Sequence, residues 1–439
     1  TVCVWLSLLV CGAMGAGEAQ VEDGLMRWAK DKGAKSDKTE LLKLQEGAGL
    51  SLVAAADIAE GELIMSIPAD LLFPSLVSKA SLASQMLEKA QNSTIGRVSA
   101  LCLYLMAERL NPESLYKQWI STLPTVFGHA LSYRDEDMEM FQASAFKELR
   151  LRKLANLRKE YDDVITGLVS SADFSAEGVT SGLTASQFGF EAFEWAYSVI
   201  TTRAVFPGLL SEKERKGDIP VILLGPLTDS LSHGVGSSSI SFDAEKQEVH
   251  FTALTAIAKG DRVSVGCGLT SNLELLANRG SLMTSNRNNF VLIKFQLDMQ
   301  ADIHASARNA MMQQLNLTNP MTYIVRSGEM PQGLLSSLRI QSLTPVEFAS
   351  YQKALSSPVS LENEWRAYRL LISSCNTILT LYKTTVEEDD ELLRGGMLTS
   401  KAHSAVTLRR QEKLIYDSVK AWAHDAWSSL LYAGGSTSA

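Results

Sequence analysis

Close cysteine pairs are missing from this sequence. Its five cysteines, Cys3, Cys11, Cys102, Cys267 and Cys375, are scattered with no Cys-x-x-Cys spacing. A structural zinc site therefore has no ligand set, no metal is expected, and a disulfide framework is not indicated. Basic charge is also short, with 41 Lys and Arg against 49 Asp and Glu, a net charge of −8 and a pI near 5.5. Binding a nucleic-acid backbone calls for a basic face, so nucleic acid is not the expected partner. Long apolar runs are absent as well. The candidate nearest the start, Val2 to Met14, is too short to span a bilayer, and no transmembrane span is expected.

That run is followed by the small residues Gly15, Ala16, Gly17 and Ala19, the pattern of a secretory h-region and its cleavage zone. On this reading the chain enters the secretory pathway or a plastid. The alternative, a gene-model artefact, leaves it in the cytoplasm or nucleus. The sequons Asn92-Ser93-Thr94 and Asn316-Leu317-Thr318 matter only on the secretory route. With 439 residues, 46% of them apolar, there is length for a large core and two domains.

Chemistry concentrates between Ile219 and Leu282. An apolar run, Ile219 to Leu224, gives way to the polar turn Pro226 to Gly234, which contains Asp229, Ser232 and His233. Ser239–Phe242 and Glu248–Leu254 alternate across Asp243–Lys246 as a hairpin with one buried face. Lys259-Gly260-Asp261 turns into the strand Arg262–Val265, Gly266-Cys267-Gly268 breaks it, and Ser271 caps a short helix. Earlier, Glu46-Gly47-Ala48-Gly49 lies between strand-like segments, where glycines let a backbone approach a ligand closely. From Ser81 to Ser211 the spacing is helical. Glu136–Asp163 reads as an exposed helix pair, and Phe188–Phe206 as an aromatic-rich helix ending near Arg203. After the strand Phe290–Phe295 the chain turns helical to Trp427, with Trp365, Tyr368, Ile372, Cys375, Leu379 and Tyr382 forming a buried stripe.

These motifs, in this order, resemble the Rubisco large-subunit lysine methyltransferases and their protein-histidine relatives, a SET-domain family. Asp229-Ser230-Leu231-Ser232-His233 is similar to its Asp-x-x-Asn-His motif, and Val263–Leu275 to its Tyr-Gly-x-x-Ser-Asn-x-Glu-Leu motif. Glu46–Leu50 is similar to Glu-Gly-x-Gly-Leu, and Thr202-Arg203 falls at Ser-Arg. Thr385–Asp389 and Arg409–Lys413 resemble the family's Thr-x-Glu-Glu-Asp and Arg-x-x-Glu-Lys elements.

The resemblance implies an α+β fold: a β-rich SET domain of small sheets with a threaded core, split by a helical insertion and followed by an all-α domain. Its expected parts are residues 1–19 signal-like, 20–80 and 212–297 SET, 81–211 insertion, 298–430 substrate-binding helices and 431–439 a disordered tail. It implies S-adenosylmethionine as cofactor, held by Glu46, Gly47, Ala48, Gly49, Arg203, Asp229, Ser232 and His233. It also implies a protein substrate or partner, engaged through the insertion and the C-terminal helices.

Three positions depart from the pattern. The motif Asn is Ser232, the motif Tyr is Cys267 and the next Tyr is Arg279. A serine lacks the reach of an amide, and a thiol is shorter than a phenol and a poorer hydrogen-bonder. Cys267 as a nucleophile lacks a recognisable His or Asp partner, so it reads as a small residue lining a pocket. Arg203 has a plainer reading as a helix C-terminal cap, and His233 as a structural histidine. The departures leave three readings open: a lysine or histidine methyltransferase, a catalytically silent protein-binding module, or a structural subunit that binds no cofactor.

Overall fold

The computed structural model describes residues 22–44, 47–75, 77–90, 95–176, 179–216, 219–300, 302–331 and 333–435, without the side chains of 431–435. The signal-like segment, Glu46 and the sequon at Asn92 lie outside the described residues. The chain divides into two compact units, one holding the residues up to Arg134 with Phe146–Met283, the other Asp135–Ala145 with the residues from Thr284 onward. The α+β architecture expected from the sequence is present.

In the first unit, Thr39–Lys43 and Leu50–Ala54 pair antiparallel. A six-stranded sheet follows, ordered Leu63–Pro68, Glu248–Ala253, Ser238–Asp243, Ser264–Gly266 and Ser232–Gly234, with Arg215–Lys216 beside Ser238–Asp243. Alternation sets the register: Val249, Phe251 and Ala253 are buried while their neighbours are not, and Phe251 stands opposite Ile240 and Met65. Ser232–Gly234 runs parallel to Ser264–Gly266, with His233 opposite Val265, so the two motif segments lie side by side. The helix Phe190–Arg203 buries Phe193, Ala196, Val199 and Ile200, one apolar stripe at helical spacing. Of its aromatics Phe193 is buried, and Phe190, Trp195 and Tyr197 pack partly buried against the same core.

The stretch expected as an exposed helix pair differs. Asp135–Phe141 is 3-10 helix, Phe146–Glu160 is α-helix, and one π turn spans Tyr161–Ile165. The 3-10 piece belongs to the second unit because buried Met138 and Phe141 face the C-terminal helix, and Arg409 donates to the Met140 carbonyl at 2.6 Å. Charge density had marked this stretch as solvated, but two apolar side chains decide where it packs.

The second unit pairs Phe290–Phe295 with Met321–Arg326 and packs five helices, Ala305–Gln314, Leu334–Gln341, Leu361–Thr380, Val386–Arg394 and Ser400–Gly435. Its core includes Val291, Ile293, Phe295, Leu338, Tyr368, Leu371, Cys375 and Tyr416. The last helix continues to Gly435, past residue 431, and 436–439 lie outside the described residues. Among the described residues no helix is long and apolar enough to cross a membrane.

Glu412 in this unit is buried, with Ser144 Oγ donating to one carboxyl oxygen and Tyr382 Oη to the other, both at 3.0 Å. Burial pushes its carboxyl up to about 7, and the two hydroxyls pull the other way. The unfolded chain releases this proton near pH 4.5, so stability falls as pH rises from there to about 7 and then levels off. At 1.36 kcal/mol per pK unit, the cost above pH 7 is about 3 kcal/mol. Glu412→Gln removes it: urea midpoints should match the parent near pH 4.5 and exceed it at pH 8. A constant offset between the two proteins across that range would refute the assignment.

Candidate functional site

The loop from 47 to 49 turns because both glycines take left-handed conformations, Gly47 at φ +78° and Gly49 at φ +82°. Neither position has room for a side chain. A Cβ on Gly47 would stand 2.8 Å from Val126 Cγ2, and one on Gly49 2.9 Å from an Arg203 guanidinium nitrogen. Thr125 and Val126 each donate a backbone N–H to the Gly47 carbonyl at 2.8 Å, closing the loop against the Leu123-Pro124 turn.

Arg203 is the last residue of the helix Phe190–Arg203, and its guanidinium lies beneath this loop. It donates to the carbonyls of Ala48, Leu50 (3.1 Å) and Asp229 (3.4 Å). The cap reading thus gives way to a tie between the loop and the Asp229 turn. Burial lowers the Arg203 pKa, with Asp229 opposing. Burial pushes the Asp229 carboxyl up to about 6 against the pull of Arg203.

Ser232 enters the sheet through its backbone, N–H to the Val263 carbonyl at 3.0 Å. The His233 imidazole is hydrogen-bonded to the Ala204 carbonyl, and burial with the nearby Arg279 cation pushes its pKa well below the ordinary value. It is a neutral, structural imidazole. Its Nε2 has no hydrogen-bond partner among the described residues.

Cys267 and Arg279 meet at a cavity of about 630 Å³ that Thr201, Phe206, Leu209, Leu269 and Leu275 also line. The Cys267 thiol is 3.4 Å from the Gly234 carbonyl oxygen and 3.9 Å from Met283 Sδ. Burial raises its pKa, which leaves it a thiol rather than a nucleophilic thiolate. Arg279 closes the helix Asn272–Arg279, which Ser271 and Glu274 open with a capping box. Its Nη1 donates to the carbonyls of Thr201 (2.8 Å) and Ala204 (2.7 Å), and its guanidinium carbon lies 5.1 Å from the Phe206 ring centroid. Burial brings its pKa down to about 10, so it keeps its charge at neutral pH. Those two carbonyls accept from the cation that the resemblance aligns with the family's second Tyr.

The structure therefore gathers the expected residues into two adjoining groups. Gly47, Ala48, Gly49, Arg203 and Asp229 form one, Cys267 and Arg279 the other, and the Ser232–Gly234 strand runs between the Asp229 turn and Cys267. Sequence reasoning passed over Glu214, which lies against Gly236 and Gly266. The signal was two Gly-x-Gly steps, Gly234–Gly236 and Gly266–Gly268, marking a close approach. It also passed over His129, a buried histidine held near pKa 3 by burial.

Residues 298–415 match the family model described as Rubisco LSMT substrate-binding. Over 408 residues the chain is 24% identical to the actin-histidine N-methyltransferases of Mus musculus and Homo sapiens, covering 90% of this chain and 66% of each relative. Its fold matches the SET domain of LSMT solved with MeLysine and AdoHcy, with a TM-score of 0.67 at 18% identity over 93% of this chain and 92% of the other. The chain has the fold of that SET-domain structure. Rubisco LSMT bound to AdoMet superposes equally well, again with a TM-score of 0.67. The chain thus shares this fold along most of its length, with the substrate-binding match confined to residues 298–415, and it spans 66% of the length of the curated relatives it matches.

Proposed function

We propose that this protein is an S-adenosylmethionine-dependent protein N-methyltransferase acting on lysine or histidine side chains. The observation that carries the proposal is the convergence of the Gly47–Gly49 loop, Arg203, Asp229 and the Ser232–Gly234 strand beside the Cys267 cavity. The relatives' names and the AdoMet- and AdoHcy-bound neighbours support the same reading.

The residues fit the cofactor's amino-acid moiety. Three of the five guanidinium N–H donors of Arg203 go to carbonyls among the described residues, and the others suit a carboxylate. Asp229 joins the same corner through its backbone carbonyl, which accepts from Arg203 at 3.4 Å. The bound cofactor supplies a methyl group on a sulfonium. The chain's part is to align an acceptor nitrogen in line with that methyl, exclude water and hold the nitrogen uncharged. Ser232 offers a hydroxyl where the family has an amide, so binding is weaker than in an Asn-bearing site. The insertion and the C-terminal helical unit would hold the protein substrate.

Cys267 favours a second reading, a silent SET module that binds a protein partner, because a thiol 3.4 Å from the Gly234 carbonyl cannot replace a phenol's reach. Calorimetric titration with AdoMet and AdoHcy separates these readings. Binding in the micromolar range, about −8 kcal/mol, is expected for both ligands. Absence of binding by either would overturn the enzyme assignment. Labelled methyl transfer to actin, the substrate named for the relatives, and to mixed lysine and histidine peptides then tests the reaction.

A further inference from the structure

Two glycines beside the altered motif have no room for a side chain, Gly266 because the Glu214 carboxylate fills the space and Gly236 because the Gly266 backbone nitrogen (2.6 Å from an added Cβ) and that carboxylate both stand there. A Cβ on Gly266 would overlap the Glu214 carboxyl group, and one on Gly236 would stand 2.9 Å from Glu214 Oε1. Leu209, earlier in the same segment, lies against Gly268 in the same way through its carbonyl. Leu209 and Glu214 therefore lie against the two glycines of the Gly266-Cys267-Gly268 break.

Glu214 is fixed there at both ends. Its carbonyl accepts from the Ile240 N–H at 2.7 Å, and the next two residues join the sheet beside Ser238–Asp243. Its Oε2 accepts from the Ser211 N–H at 2.9 Å and from Ser211 Oγ at 2.7 Å, which leaves Oε1 as the oxygen turned to the glycines. A half-buried carboxylate held by a local turn and a strand has little rotamer freedom left to lose on meeting a ligand. Across the break, Arg279 is already engaged with two carbonyls, and Glu274 is engaged with Ser271 in its capping box.

We infer that Glu214 is the acceptor-side carboxylate of this site, placed to draw a lysine amine or histidine imidazole toward the transfer point where the family's phenol is missing. The inference rests on the proposed methyltransferase reading and gives it a recognition element. In the transfer, the nitrogen lone pair forms the new N–C bond while the electron pair of the breaking C–S bond returns to sulfur. Positive charge thus moves from sulfur to nitrogen, and the nitrogen later loses its proton to water. A fixed anion on the nitrogen side stabilises that shift more than it stabilises the starting pair, which is the condition for accelerating the step.

Sinefungin tests this without knowledge of the protein substrate, because it carries an amine where the cofactor carries its methylsulfonium. Titrations would compare sinefungin with AdoHcy on the full chain, on Glu214→Gln and on Glu214→Asp. Glu214→Gln should bind sinefungin about tenfold more weakly with AdoHcy affinity unchanged, and Glu214→Asp should keep part of the preference. Equal losses for both ligands would show a structural role and overturn the inference, as would AdoHcy binding with an unaltered sinefungin ratio. If the parent binds neither ligand, the methyltransferase reading fails and takes this inference with it.

Discussion

Replacing Asp389 by alanine is expected to destabilise the C-terminal helical unit by about 4 kcal/mol, the range measured when one partner of a buried ion pair is removed. The reason lies in what stays behind. Arg409 donates from Nε (3.0 Å) and Nη2 (2.7 Å) to Asp389 Oδ1, and Lys413 Nζ stands 2.6 Å from Oδ2. The side chains of both cations are only 3% exposed, and that of the carboxylate is not exposed. Removing the anion leaves two buried positive charges with neutral partners among the described residues, the Met140 carbonyl for Arg409 and the Thr384 and Thr385 carbonyls and the Thr384 hydroxyl for Lys413. Carbonyl dipoles solvate a cation but do not cancel its charge.

Asp389→Asn is the informative control. It keeps the volume and one hydrogen-bond acceptor for Arg409 but removes the charge, so a loss near that of alanine assigns the effect to electrostatics. The triple variant Asp389→Leu, Arg409→Met, Lys413→Met removes all three charges and should recover most of the stability, since buried ion groups replaced by apolar ones are often neutral. Two units need not unfold together, so hydrogen exchange within residues 361–430 is the proper readout. A loss under about 1 kcal/mol in Asp389→Ala would show that water reaches the cluster and that the cations do not depend on their anion.

How much of this was legible in the sequence depended on whether a signal was local. The hairpin Ser238–Ala253 was readable because one face alternates through Val249, Phe251 and Ala253 and a polar turn separates the strands. The helix Asn272–Arg279 was readable from Ser271 and Glu274 three residues apart, the reciprocal cap that the structure shows. The family resemblance also implied that Gly47, Arg203 and Asp229 share one site. It did not show that Arg203 ties the glycine loop to the Asp229 turn, because that depends on contacts about 150 and 26 positions apart in the chain. Glu214 was hidden for the same reason: a glutamate in a charged loop reads as solvated until the strand Arg215–Lys216 brings it against Gly266. The two carbonyls that accept the Arg279 N–H groups were hidden as well, since Thr201 and Ala204 lie 78 and 75 positions away in the chain.

Restoring the motif by Cys267→Tyr together with Ser232→Asn should raise methyl transfer by about a hundredfold, the scale of one preorganised hydrogen-bond donor at a reacting centre. Space favours the larger side chain, since Cys267 borders a cavity of about 630 Å³. Neither change should act alone to the same extent. The amide at 232 orients the donor and the phenol at 267 orients the acceptor, and in-line transfer needs both, so their effects couple rather than add. AdoHcy titration divides the contributions: Ser232→Asn should tighten binding, while Cys267→Tyr should leave it unchanged and act on turnover. The assay is labelled methyl transfer to actin and to mixed lysine and histidine peptides, with the parent measured beside each variant. If both single variants and the double variant bind AdoHcy at micromolar concentration yet none transfers more methyl than the parent, these two positions do not limit catalysis. The limitation would then lie on the acceptor side, where Glu214 already occupies the space above Gly266.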